Sequence, residues 1–287
     1  MSFFQAIVIG VIQGVTELFP VSSLGHSVLL AGWLGWDSLL NGQAADESFY
    51  LAFLVGLHVA TALALLLFFW RDWAAIIRGF VTSLRTRRVE TPHQRMAWLL
   101  IIGSIPVGVF GLVFEHSLRT LFAKPLAASI FLTINGLILI AGERLRRRPV
   151  VTSSAGVTTV ERTDQLTYTD GALIGTSQIG ALFAGISRSG ITMVTGMLRG
   201  LDHEQAARFS FLLATPIIFA AGIYKLPDLA GANGDGIRGQ VVVGSICAFV
   251  AAYIAVRFLT RWFTTRTLTP FAIYCLAAGI ISIIHFA

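Results

Sequence analysis

Two short stretches of this 287-residue chain hold the side chains best suited to chemistry. In the first, Glu17 lies within an otherwise apolar segment. A carboxylate there is costly unless it is paired or metal-bound, so Glu17 is a functional candidate, with an interfacial position reaching water as the plainer alternative. Gln13 is four residues earlier and shares a face with Glu17 if the stretch is helical. One anionic and one neutral oxygen suit a hard divalent cation, Mg²⁺ or Ca²⁺. Ser22, Ser23 and His26 follow at once. A helix starting after Pro20 would set Ser23 and His26, three apart, toward one pocket. That is the minimum for an activated nucleophile or a general acid–base pair. The plainer reading is a serine helix cap and a histidine bonded to a backbone carbonyl.

The second stretch is Gly185-Ile-Ser-Arg-Ser-Gly-Ile-Thr192. Arg188 keeps its proton, so inside a membrane it needs an anion. The glycines let backbone N–H groups approach that anion, and a helix start adds donors. Ser187, Ser189 and Thr192 add hydroxyls, which together describe a phosphate or diphosphate cradle. The alternative is an Arg188–Glu17 ion pair without a ligand. His58 and Asn135 read as satisfied within the bundle. Cys247 and Cys275 lie inside apolar spans, which argues against a disulfide framework or a zinc site.

The elements that must position these groups are membrane helices. Hydrophobic types make up 55% of the chain and charged types 13%, with a mean hydropathy of +0.76. This excludes a disordered chain and an ordinary soluble enzyme. The net charge of +6 fits lipid headgroups and cytoplasmic loops, not nucleic acid. The first basic residue is Arg71, so no charged leader region is expected. Clean spans run over 49–70, 96–114, 121–142, 209–224, 241–256 and 268–287. Segments 3–34 and 173–198 are rich in Gly, Ser and Thr and hold ionisable groups. They read as broken, re-entrant helices. Sixteen of 21 basic residues fall in 71–95, 144–162, 199–208 and 257–266, which puts those connections in the cytoplasm. At an offset of 165, Gln13, Ser22 and Gly25 match Gln178, Ser187 and Gly190. The chain therefore reads as one membrane domain, 1–287. It is an all-α protein of six transmembrane helices and two re-entrant hairpins, in inverted repeats of about 1–142 and 169–287 joined by a cytoplasmic loop, 143–168.

The stretches Gln13-xxx-Glu17, Phe19-Pro-Val-Ser-Ser-Leu-Gly-His26 and Gly185–Thr192 resemble the undecaprenyl-diphosphate phosphatases, also called bacitracin-resistance proteins. Phe209-Ser-Phe-Leu-Leu-Ala-Thr-Pro216 and Pro270-Phe-Ala-Ile-Tyr274 extend the resemblance along the whole chain. It implies six spans with two inverted hairpins, commonly in a homodimer. It also implies removal of the terminal phosphate from a polyprenyl diphosphate with a divalent cation. The product would re-enter cell-wall synthesis, at a bacterial plasma-membrane site open to the outer side. On this resemblance Glu17 is the essential carboxylate and Gln13 its partner. Ser23 and His26 are the nucleophile and acid/base candidates, and Ser187, Arg188 and Thr192 form the cradle. Ala184 stands where relatives usually have Pro, and Cys275 where they often have Arg, removing a possible cation from the site.

The expected mechanism puts the cation on Glu17 and the diphosphate, with Arg188 neutralising developing charge. Ser23 or water attacks phosphorus while His26 manages the proton. A lipid flippase or secondary transporter shares broken midplane helices and is the competing reading. The type-2 phosphatidic acid phosphatase pattern wants a His about six residues after its second-motif Arg. Position 194 is Val, which rejects it.

Overall fold

A computed structural model describes residues 1–36, 39, 49–122, 124–146, 166–230 and 236–287. Asp46, Glu47, Asp235 and most of the 143–168 connection lie outside them, as do the side chains of Arg119, Lys225 and Asp228. The described residues are helical, without a strand. The protein is an all-α, multi-pass membrane protein. Among the described residues, five helices are long and apolar enough to cross a bilayer: α5 (Pro92–Phe122), α6 (Pro125–Leu145), α9 (His203–Ala230), α10 (Arg238–Trp262) and α11 (Thr269–Phe286). A sixth candidate span is the pair of α3 (Phe49–Phe68) and α4 (Trp70–Thr86), bent by 85° where they meet. Large apolar side chains such as Leu112, Val113, Ile254 and Ile284 face outward on these helices, as a lipid-facing belt requires.

Helix α4 departs from the loop expected over 71–95. Arg71, Arg78 and Arg85 are seven apart, two helical turns, so they share a face. Ile77, Val81 and Leu84 remain exposed beside them. Such a helix suits the bilayer surface. An Asp72–Arg208 ion pair ties it to α9, and Trp98 Nε1 donates to Ser83 Oγ at 3.1 Å from α5.

Both Gly/Ser-rich segments are broken helices too short to span singly. The first comprises α1 (Phe3–Leu18) and α2 (Ser23–Trp33). Ser2 starts α1 through a reciprocal capping box with Gln5. Phe19 ends it in extended backbone, because Pro20 disfavours helical geometry in the residue before it. The second comprises α7 (Tyr168–Ser177), a 3₁₀ turn over Gln178–Leu182, and α8 (Arg188–Leu198). Thr167 and Asp170 cap α7 in the same reciprocal way.

Each first arm docks through a pair of glycines four residues apart. A Cβ on Gly10 would lie 2.4 Å from Gly244 O of α10, and one on Gly14 would lie 2.3 Å from Ala248 O. A Cβ on Gly175 would lie 2.2 Å from Gly103 O of α5. On Gly171 it would lie 2.7 Å from the Leu99 side chain. Backbones this close allow dispersion contacts over a long strip, the main source of helix association where lipid competes for apolar surface. The docking is reciprocal: α1 lies on α10 of the other half, and α7 on α5.

Candidate active site

The turn after α1 and the loop before α8 meet backbone to backbone. A Cβ on Gly25 would sit 2.8 Å from Gly185 Cα. Ser22 Oγ accepts from Gly25 N at 3.3 Å, capping α2, and from Gly185 N of the other loop at 3.1 Å. Its backbone takes φ 72°, a left-handed geometry rare for serine. Asn135 of α6 locks the junction from behind. Its Nδ2 donates to Pro20 O at 3.0 Å, and its Oδ1 accepts from Ser187 N at 3.0 Å. Ser187 Oγ caps α8 by accepting from Gly190 N at 3.1 Å. The amino ends of α2 and α8 therefore converge, and with them the positive ends of two helix dipoles.

Glu17 lies at this convergence, buried to 7% exposure. Its Oε1 accepts from Arg188 Nη2 at 2.6 Å. Its Oε2 accepts from Ser23 Oγ at 2.5 Å and from Gln13 Nε2 at 3.0 Å, with His58 Nε2 at 3.3 Å. Two buried atoms beside this network lack partners: Arg188 Nη1 and Gln13 Oε1. A cavity of about 270 Å³ opens over it, lined at its polar end by Glu17, Ser22, Ser23, His58, Ser187 and Arg188. Val55, Val107, Leu182 and Ile217 belong to its apolar wall. Ile217 also borders a groove of about 460 Å³ between α4, α5 and α9, walled by Ile76, Phe80, Leu100, Ile101 and Pro216.

Other sequence candidates are turned elsewhere. His26 holds Ser22 O through Nδ1 at 2.7 Å and Tyr274 Oη through Nε2 at 2.7 Å, and its ring stacks on Tyr274. It has no bond to Ser23 and does not line the cavity. Ser189 Oγ donates to Phe19 O at 3.1 Å. Thr192 Oγ1 donates to Arg188 O at 2.7 Å and lies 2.7 Å from Ser210 Oγ. Both brace the loops instead of facing the cavity. Cys275 is buried behind Pro20, its Sγ accepting from Asn135 Nδ2 at 3.3 Å, so it faces the junction and not the cavity. The Arg188–Glu17 pair, the alternative to a cradle, is present, yet it leaves Nη1 uncommitted.

Comparison with known proteins agrees with the motifs. The bacitracin resistance protein BacA family matches residues 6–281. This chain belongs to that family. It is 57% identical to an undecaprenyl-diphosphatase of Mycolicibacterium paratuberculosis and 54% identical to undecaprenyl-diphosphatase 2 of Frankia alni. Each alignment covers 100% of this chain and 98% of the relative. In this BacA-family chain His58 and Asn135 are bonded within the bundle as expected, but the sequence reading did not place them at the junction. For His58 a signal was present: an ionisable group inside an apolar span is a functional candidate by default. For Asn135 there was none, because a single polar residue in a helix does not reveal that it bridges two distant loops.

Proposed function

We infer that this membrane protein is an undecaprenyl-diphosphatase. It hydrolyses undecaprenyl diphosphate to undecaprenyl phosphate and inorganic phosphate. The reaction returns the lipid carrier to cell-wall synthesis and underlies bacitracin resistance. The observation that carries the site assignment is Arg188. It spends Nη2 on Glu17 and keeps Nη1 buried without an acceptor beside a cavity fed by two helix amino ends. A phosphate oxygen is the natural acceptor for such a donor. Ser22 and Ser187 border the same space and serve as further donors to the diphosphate. Ser23 is the nucleophile, since its hydroxyl is held on a carboxylate that can take its proton. His26, Ser189 and Thr192 act through the turns they brace.

The donor set fits a divalent cation that arrives with its substrate. Glu17 supplies one carboxylate and Gln13 Oε1 a buried carbonyl with no partner. No cluster of three His, Cys, Asp or Glu side chains exists among the described residues, so phosphate oxygens would complete the shell. Bound there, Mg²⁺ or Ca²⁺ would neutralise diphosphate charge. The apolar wall and the groove beyond Ile217 suit the prenyl chain entering from the bilayer. The basic connections support a site that opens to the extracytoplasmic side of a bacterial plasma membrane, and we propose a homodimer, as the resemblance implies.

The test is phosphate release from a long-chain prenyl diphosphate by purified protein in detergent. Release that stops with EDTA and returns with Mg²⁺ or Ca²⁺ is expected. A flippase or transporter would release none.

A further inference from the structure

Away from the catalytic cavity, the end of α10 gathers cations that no nearby carboxylate balances. Ile254, Arg257, Phe258 and Arg261 recur at spacings of three and four, so they share one face of the helix. The chain then turns back, with Thr265 N and Arg266 N both donating to Trp262 O, at 3.3 and 2.9 Å. The turn brings Thr265 and Arg266 to the same place, and together these residues and Trp262 line a groove of about 490 Å³. Trp262 is fixed there. Its Nε1 donates to Thr267 O at 3.3 Å, and its ring packs against Phe258 and Phe271, with centroids 5.6 and 5.9 Å away. Arg266 rests over that ring, its Cζ 5.9 Å from the centroid, a cation–π contact that keeps the guanidinium at the groove. No Asp or Glu follows Asp235 in the chain. Glu143 of α6 reaches this end of the bundle by accepting from Leu268 N at 3.1 Å, but His203 and Arg146 already engage it. Among the described residues, no carboxylate pairs with Arg257, Arg261 or Arg266.

We propose that this groove binds one anionic glycerophospholipid, its phosphate held by Arg257, Arg261 and Arg266 and its acyl chains laid along Ile254 and Phe258. The guanidinium forks match phosphate oxygens, and Thr265 adds a hydroxyl donor. Toward the middle of α10 the lining turns apolar, with Ile254 62% and Phe258 46% exposed. A free phosphate would leave that strip bare, whereas an acyl chain covers it. A zwitterionic headgroup carries a cation of its own, which three unpaired arginines repel. Trp262 stands between the charged and the apolar halves of the groove, the depth at which an indole meets the headgroups. Basic pockets at the ends of membrane helices hold anionic headgroups by the same forces. None of the lining residues belongs to the cavity around Glu17, so this lipid does not occupy the diphosphate site.

The experiment titrates the full-length protein, in a mild detergent, with phosphatidylglycerol or with phosphatidylcholine of the same acyl chains, and counts bound lipid by native mass spectrometry. One phosphatidylglycerol should bind more tightly than phosphatidylcholine. Arg257→Gln/Arg261→Gln/Arg266→Gln should weaken it by about 10²-fold, the combined effect of three basic residues at an anionic headgroup, and leave phosphatidylcholine unchanged. Arg71→Gln/Arg78→Gln/Arg85→Gln removes the same charge from α4 and should keep the tight lipid. Equal loss in the two triple variants would reduce the effect to net charge and overturn the proposal. Equal binding of both lipids would overturn it, as would displacement of phosphatidylglycerol by excess inorganic phosphate, which would make the groove a free-anion site. A second measurement needs no variant. Phosphatidylglycerol with a diazirine in its acyl chain should crosslink to the unaltered protein within 254–266, and crosslinks confined to other segments would overturn the assignment.

Discussion

Glu17 carries four polar neighbours on two oxygens, and each does different work. Arg188 neutralises it, Gln13 and Ser23 donate to it, and His58 shares its outer edge. Breaking one member of a buried ion pair leaves an uncompensated charge, whereas removing both does not. Glu17→Gln should therefore cut phosphate release by at least ~10²-fold, on the scale of losing a key electrostatic group. Arg188→Lys tests the other half. Lys can still face Glu17 but lacks the planar fork that leaves Nη1 free for phosphate. Turnover should collapse while the protein stays extractable. Glu17→Gln/Arg188→Gln should melt higher than Glu17→Gln or Arg188→Gln alone, since no lone charge stays buried. Thermal melting and phosphate release of the four proteins decide this. Full activity in Arg188→Lys would reduce the pair to a structural bridge.

Among the elements, the two broken helices depend on how tightly their first arms dock. Gly14 and Gly175 are pressed against backbone carbonyls of α10 and α5, whereas Gly111 on α5 has nothing within 4 Å of its Cβ position. Gly14→Leu and Gly175→Leu should each destabilise the protein by ~1–3 kcal/mol or more, because backbone cannot move aside as a flexible side chain can. They should also displace Glu17 or Arg188 and so lower kcat. Gly111→Ala should be neutral, or stabilise α5 by up to ~1 kcal/mol through helix propensity. Melting curves of the three in one detergent test this. Equal effects would remove close docking as the cause.

The whole molecule must place the site on one side of the bilayer and let a long lipid reach it. With Cys247 and Cys275 replaced by Ala, a cysteine at 238 should react with an impermeant thiol reagent outside intact cells. One at 88 should react only after lysis. The opposite pattern would invert the protein and the site with it. The groove between α4, α5 and α9 gives a second test at this scale. Ile217 is its shared wall with the cavity, so Ile217→Trp should raise KM for undecaprenyl diphosphate. It should leave a short prenyl diphosphate such as farnesyl diphosphate nearly unaffected. Equal loss for both substrates would place the chain elsewhere.

Several features were set by the sequence alone because their causes are local. Hydropathy and length define the spans, Pro20 ends α1, and Ser and Thr before helix starts cap them. The seven-residue spacing of Arg71, Arg78 and Arg85 also encoded α4, but the charges masked it as a loop. Glu17, Ser23 and Arg188 were legible as intramembrane polar groups, since burial of such groups is costly without a purpose. Which other polar groups share their cavity was not legible. His26, three residues from Ser23, points to Tyr274, while His58, 35 residues away, reaches Glu17. Ser189 and Thr192 turn inward although their neighbours Ser187 and Arg188 face the cavity. Asn135 joins two loops, one 115 residues before it and one 52 residues after it. These outcomes depend on the rotation and crossing of whole helices. Contacts such as Gly14 on Ala248 and Gly175 on Gly103 set those, and pairs so far apart in the chain become neighbours only when the bundle closes.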